Sequence, residues 1–448
     1  MFNGYSRDER ELRWLKRWIW VYFWLLMFEG VLRKWVFPSL SGPLLLIRDP
    51  VALVIYLQAY RCGRISMRTM WPIAMVAAGV ILLASAQIAA EVNTIPVALF
   101  GLRTYLLHLP LIFIIAEVLD KEDLYKLGRW LLLLSIPMSA LVIAQFKSPG
   151  GAWLNAGAGE DAAQIMSAGN HVRPAGTFSY GAGMGCLEVL LGAIIFDALL
   201  RKGRYPRWLV WTALLLMLVV IPALGSRTVL FTMAGVAALT LVAGTSHAVR
   251  VAGLLKIVAV VALAGFLVLQ LPFFHEAVDT MSDRWQQASR AEGDVEQVFG
   301  KRVLGNMESA LEEAGDTPLL GRGIGMGSNF AAVSTTGDVA FLLGENEWER
   351  VVAEFGPLAG LLFMGARVAL AGYIAMRAFR ALKRNEPLAW LLLPAVLPVL
   401  VLNLMEQSTF LGFMVFGSGI CLAAARIGAP SMDAAPAMYA GRYGAAYR

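Results

Sequence analysis

The residues best able to do chemistry in this chain are a set of arginines and a set of glutamates that stand apart in sequence. Arg173 lies in H-V-R-P-A-G-T-F, Arg227 follows Gly225-Ser226 at the start of an apolar run, and Arg302 stands beside Lys301 in a polar stretch. Guanidinium forks from three separate segments can hold a phosphate or diphosphate through charge-assisted hydrogen bonds. The plainer alternative is that each is an exposed or headgroup-level cation, and for Arg227 snorkelling alone is sufficient. Glu345, Glu347 and Glu349 alternate along what reads as the start of a helix. The helix dipole by itself favours acids there. A glutamate partly buried above a membrane cavity has, in addition, a pKa moved toward neutrality and can act as a general base. No D-x-D and no pair of histidines stands beside them, so no metal centre and no cofactor is expected.

Between these two sets runs P-L-L-G-R-G-I-G-M-G-S-N from Pro318. It is not a nucleotide fingerprint, because it follows no expected strand and opens no helix of a βαβ unit. Its physical content is a backbone free to take positive φ and to approach a ligand closely, above all at Gly323 and Gly325. Charged side chains in or at the ends of apolar runs are functional candidates by default: Glu29, Arg33, Lys34, Arg48, Asp49, Arg103, His108, Glu188, Arg367 and Glu406. Glu29 and Arg33, four apart with the acid first, read as a local ion pair. His108 reads as a hydrogen-bonded core histidine, Glu188 as meeting a buried partner, and Arg367 as able to pair along its own helix. Cys62, Cys186 and Cys421 have no paired spacing and read as small buried hydrophobes.

The elements that must position these residues are membrane helices. Hydrophobic residues make up 58% of the 448, charged residues 16%, and the mean hydropathy is +0.63, outside the range of soluble globular chains. The net charge of +6 does not signal nucleic acid, since the basic residues sit in short clusters between apolar runs, where they set topology. Apolar runs of near-spanning length lie at about 18–37, 43–60, 71–90, 96–117, 129–146, 181–200, 207–223, 227–245, 250–272, 357–378, 387–402 and 409–426. Lys and Arg cluster after runs two, four, six, eight and ten, and the connections after runs three, seven and eleven carry none; the connection after run one is the exception. Both termini are therefore expected in the cytoplasm, with the first run retained as a spanning helix.

The expected fold is an all-α polytopic membrane protein of about twelve transmembrane helices with a large, mainly helical outer loop between helices nine and ten. Residues 1–272 hold helices one to nine with a smaller outer loop at 147–180, and 273–356 form the large loop. Residues 357–426 hold helices ten to twelve, and 427–448 form a disordered cytoplasmic tail. Within the large loop two helical stretches are expected, about 276–291 and 294–314. The second is closed by a left-handed cap at Gly315 before Pro318, and a third helix starts near Glu345 and breaks at Gly356-Pro357. No internal repeat and no pair of broken helices is evident.

The order of motifs resembles the bacterial O-antigen ligase and polymerase superfamily of polytopic glycosyltransferases. R-P-A-G-T-F-S-Y from Arg173, G-S-R-T from Gly225, K-R-V-L-G-N-M-E-S-A-L from Lys301, P-L-L-G-R-G-I-G-M-G from Pro318, E-N-E-W from Glu345 and E-F-G-P-L-A-G-L from Glu354 follow one another like its landmarks. The resemblance implies twelve helices in the bacterial inner membrane, a periplasmic loop before the tenth, and a glycan donor on undecaprenyl diphosphate. It also implies inverting, metal-independent transfer to an acceptor hydroxyl, with Arg227 and Arg302 on the diphosphate. Where the family commonly has His-Asn, this chain has Glu345-Asn346. The expected roles are thus Glu345 or Glu347 as base, Arg302, Arg227 and Arg173 on the diphosphate, and Asn346, Gly323, Gly325 and Arg103 in support. Expected partners are the lipid-linked glycan, a glycan or lipid-linked acceptor, membrane lipids and other polysaccharide-assembly proteins. The rival expectations are a transporter or flippase of lipid-linked glycan and a non-catalytic partner in polysaccharide assembly.

Overall fold

The computed structural model describes residues 2–158, 171–201, 203–245, 272–292, 304–337, 342–344 and 346–427, with isolated positions between 259 and 270. Among them the chain is helical, without a strand. The first half comprises α1 (Phe2–Val31), α2 (Arg48–Arg61), α3 (Met67–Ala89), α4 (Ile95–Leu102), α5 (Leu111–Val118), α6 (Lys121–Lys147), α7 (Gly181–Leu200), α8 (Arg207–Leu224) and α9 (Arg227–Thr245). The second comprises α10 (Pro272–Glu292), α11 (Asn306–Asp316), α12 (Asn329–Thr336), α13 (Glu347–Phe355), α14 (Pro357–Leu382), α15 (Leu388–Leu391), α16 (Leu393–Val401) and α17 (Ser408–Ile427).

Nine helical segments among the described residues are long and apolar enough to cross a membrane, which marks an all-α membrane protein. They are seven segments from Pro43–Arg61 to Arg227–Gly244, then Pro357–Leu382 and Ser408–Ile427. The twelve expected runs differ from these in three places. Run one is the 30-residue α1, which carries Lys16, Arg17 and Glu29 and is not among the nine. Run nine falls almost wholly outside the described residues, as does the tail beyond 427. Run eleven is broken: α15 stops at Leu391 and α16 restarts ahead of Pro394, with Pro398 inside it, because each proline removes a ladder N–H. Run four is also interrupted, α4 passing through a π-turn at Arg103–Leu107 before α5 starts after Pro110.

The spans α17 and α7 are the most enclosed, 83% and 78% of their apolar windows being buried against 17% for α3. The bundle is therefore built around α7 and α17, with α3 at its rim. α17 lies along α5, and a Cβ on Gly419 would come within 2.7 Å of Ile115 Cγ2, so glycine sets that close approach. One end of the bundle gathers the basic clusters. There Lys16 Nζ reaches Asp120 (2.5 Å) and Asp123 (2.6 Å), Arg201 pairs with Asp197 and Glu386, and Arg426 donates to the Ala116 and Leu119 carbonyls. The other end, here called the loop face, carries the connections with the sequence motifs.

On the loop face the R-P-A-G-T-F-S-Y segment is clamped rather than loose. Lys34 Nζ donates to the Gly176 carbonyl (2.8 Å), Gln145 Oε1 accepts from the Gly176 N–H (2.8 Å), Arg33 Nη1 donates to Ser179 Oγ (2.9 Å) and Thr177 Oγ1 to the Met27 carbonyl (2.7 Å). The expected helix at 276–291 is α10. The one expected at 294–314 is described only from its last part, α11, which runs through Gly315 and ends where Thr317 turns extended. The left-handed cap at Gly315 is therefore not formed; the extended preference of the residue before Pro318 ends the helix instead. α13 ends at Gly356, the expected break: glycine permits the φ of 85° and the following proline favours the extended ψ of 164°.

Candidate functional site

Three networks of buried charge hold the loop face together. In the first, the glycine string wraps an anion, and that anion belongs to the chain itself. Gly321, Gly323 and Gly325 have φ of 74°, 117° and 90°, so successive N–H groups turn inward. The Glu354 carboxylate accepts from the N–H of Gly325 (2.8 Å) and Gly327 (2.9 Å) and from the Tyr105 hydroxyl (2.9 Å). Gln87 closes the clasp, taking the Ile324 N–H (2.8 Å) and donating to the Glu354 carbonyl (2.8 Å), while Asn93 donates to the Ile324 carbonyl (2.9 Å). The expected close approach at Gly323 and Gly325 is thus made to Glu354 and to the α3–α4 turn. Burial pushes the Glu354 carboxyl up, against the pull of Arg350 and the glycine N–H groups.

In the second network Glu347, with no exposed side-chain surface, lies between two guanidiniums. Arg350 Nη2 approaches its Oε2 at 2.5 Å and Arg367 Nη1 bonds its Oε1, and the Met405 N–H donates to both oxygens at 3.3 Å. Arg367 also donates to the Leu400 and Asn403 carbonyls, so its partner lies on α13 and not along its own helix. Arg350 continues to Glu406 (2.7 Å), whose other oxygen accepts from the Asn329 N–H (2.6 Å). Burial raises the Glu406 carboxyl as well, with Arg350 opposing. A carboxylate bridged by two arginines and sealed from solvent offers an acceptor hydroxyl no access for proton abstraction. Glu347 therefore locks α13 onto α14, and the expected base role does not suit it.

The third network ties α1 to α2 and α17. Glu29 accepts from Arg48 Nε (3.0 Å) and Ser408 Oγ (2.6 Å), while Arg33 stands off at 3.7 Å; the expected local pair is the weaker contact. Arg103 grips Asp49 through two nitrogens (2.7 and 2.8 Å), which spends its fork on structure. His108 is the hydrogen-bonded core histidine expected, between the Tyr22 hydroxyl (3.2 Å) and Asp49 (3.0 Å). Neither oxygen of the buried Glu188 has a hydrogen-bond partner among the described residues, contrary to expectation.

Against this background the arginines gather at one corner. A Cβ on Gly181, the first residue of α7, would lie 3.2 Å from Arg173 Cγ, and one on Gly185 would lie 2.7 Å from Val229 Cγ2 of α9. Arg173 and Arg227 thus stand at the loop ends of two helices in contact, and both are engaged with neighbouring groups. A third arginine joins them. Arg284 of α10 donates from Nη1 to the Gly225 carbonyl (2.9 Å), two residues before Arg227, and Trp285 sets its ring 6.0 Å from that of Phe231 on α9. Half-burial lowers the Arg284 pKa. Glu406 is nearby, since a Cβ on Gly183 of α7 would touch Thr409 (2.7 Å), three residues beyond Glu406.

Arg302 and Glu345 lie outside the described residues. Asn346 precedes α13 as an exposed cap residue whose side chain makes no cap bond. Sequence reasoning missed Arg284, Glu354 and Gln87. Nothing in a lone arginine of a polar helix separates it from a solvated one, because its partner carbonyl is 59 residues away. No protein-family model matches the chain, and no curated protein matches it.

Proposed function

We propose that this membrane protein transfers glycan from an undecaprenyl-diphosphate-linked donor to an acceptor hydroxyl at the loop face, read as periplasmic. The observation that carries the reading is that the neighbouring loop ends of α7 and α9 bring together three elements that carry Arg173, Arg227 and Arg284. Guanidiniums from separate segments suit a diphosphate, which offers forked acceptors and gains charge on its bridging oxygen as the glycosyl bond breaks. Arg302, whose diphosphate role rests on the sequence resemblance, is proposed to act with them.

In the proposed step an acceptor oxygen attacks the anomeric carbon and inverts it. The bond from that carbon to the diphosphate oxygen breaks, the electron pair leaves with the diphosphate, and the acceptor proton passes to Glu345. Glu347 cannot share that task while it bridges Arg350 and Arg367. The chemistry uses no cofactor.

The test is Arg227→Ala, Arg284→Ala and Glu345→Gln in a producing strain, with polymer scored against accumulated lipid-linked oligosaccharide. Each variant is expected to lower polymer about tenfold or more, the worth of one charge-assisted hydrogen bond to the leaving group. Normal polymer in all three, with the proteins present in the membrane, sinks the assignment. One observation favours a second reading. The breaks at Arg103–Leu107 and at Leu392 are the kind of interrupted helix found in transporters, so a transporter of lipid-linked glycan is the alternative. It predicts lipid-linked donor trapped on the cytoplasmic side, whereas a transferase leaves it exposed outside.

A further inference from the structure

At the opposite, basic end of the bundle, α1 and α2 splay around an open groove of about 520 Å³. Its walls are two helical stripes. Arg10, Trp14 and Trp18 recur at four-residue spacing on α1, and Val54, Gln58 and Arg61 at four and three on α2, so each set lies on one helix face. α1 and α2 are antiparallel neighbours, which brings Arg10 opposite Arg61 at the mouth and Trp18 opposite Val54 at the floor. Eight residues of helix separate Arg10 from Trp18, a run of about 12 Å.

The groove is graded along its length. Its floor is apolar and aromatic, and its mouth is cationic. Neither Arg10 nor Arg61 has a carboxylate partner among the described residues, whereas Arg13 is paired with Glu9 (3.7 Å) and Arg64 faces Glu117 (3.9 Å). Glu11, the one acid in the lining, has a contact of its own, and it leaves the groove with one positive charge over. Trp14 and, on the outer side of α2, Leu53, Leu57 and Tyr60 are exposed, as side chains facing lipid are. Tryptophan beside arginine at the basic end of a membrane bundle matches the depth of phospholipid headgroups.

We propose that this groove binds one anionic phospholipid, its phosphate between Arg10 and Arg61 and its glycerol and first acyl methylenes on Trp14, Trp18 and Val54. A single lipid charge neutralises the excess at the mouth. A zwitterionic lipid would leave it, and a free phosphate would leave the aromatic floor uncovered. The inference does not depend on the glycan reading, since it concerns the other face of the bundle.

The experiment uses the purified full-length chain, delipidated and given phosphatidylglycerol, phosphatidylcholine, phosphatidylethanolamine or glycerol phosphate. Bound lipid is counted by native mass spectrometry and the thermal midpoint is followed for each ligand. The wild type is expected to hold one phosphatidylglycerol and to be stabilised by it alone. Arg10→Gln with Arg61→Gln is expected to bind it about thirtyfold more weakly, the effect of two basic groups at a membrane surface. Arg13→Gln with Arg64→Gln, two arginines outside the lining, retains it, and so in large part does Arg10→Lys with Arg61→Lys, which also shows that the groove is intact. Equal retention in the glutamine pair, equal stabilisation by the zwitterionic lipids, or full competition by glycerol phosphate overturns the proposal.

Discussion

Glu347 and Glu345 stand two residues apart, and substitution separates their roles. Removing the Glu347 carboxylate leaves Arg350 and Arg367 buried without their shared anion, which costs about 3–5 kcal/mol in comparable sites. Glu347→Ala is therefore expected to lower the thermal midpoint sharply and to reduce the amount of protein in the membrane. Glu345→Gln is expected to abolish product while leaving the midpoint near that of the wild type. The reverse pattern, a stable and inactive Glu347→Ala, would return Glu347 to the role of base. The buried acids also make stability depend on pH. Glu354 and Glu406 are both raised by burial, so the folded state takes up protons at a pH where the unfolded chain has lost them. Their contribution is complete below the ordinary glutamate value and is lost as pH rises through the folded value. The midpoint in detergent is expected to fall with rising pH across that window, and Glu406→Gln to flatten the fall; an unchanged slope in that variant removes Glu406 from the account.

At the scale of elements, the glycine string is a joint between α3–α4 and α13. Gly325 sits at φ 90° and a Cβ there would meet the Val97 carbonyl at 2.5 Å, so Gly325→Ala strains the backbone and pushes the clasp apart. It is expected to lower the thermal midpoint more than Gly63→Ala, where φ is also positive (62°) but the space around is open. Equal shifts in the two variants would mean that the close approach is not what glycine is kept for. Much of this level was legible in the sequence. Apolar runs marked the spans, the Gly356-Pro357 pair marked the end of α13, and the polar spacing of 276–291 marked α10. The rest was not legible, because it depends on partners far along the chain. That Glu354 is the anion for the Gly325 and Gly327 N–H groups follows from α13 folding back on the string. That Gly315 stays helical follows from the extended preference imposed on Thr317 by Pro318, which outweighed the cap expected from glycine. Run eleven read as one span because hydropathy counts prolines as mildly polar residues and not as lost hydrogen bonds.

For the whole molecule, the basic clusters and the loops lie at opposite ends of a bundle built around α7 and α17. On the proposed topology the loop end faces out. With the three native cysteines replaced, Ser334→Cys on α12 is expected to react with a membrane-impermeant maleimide in intact cells, and Arg384→Cys only after lysis; the opposite result inverts the topology and removes the donor from reach. The most direct test of the central claim is the purified protein with a synthetic undecaprenyl diphosphate glycan, assayed for release of undecaprenyl diphosphate with glycan transferred to an acceptor hydroxyl. Release by the wild type that falls about tenfold or more in Arg227→Ala, while that variant remains folded, is the result expected. Release at the same rate in the variant, or none from a folded wild type given both donor and acceptor, would contradict it.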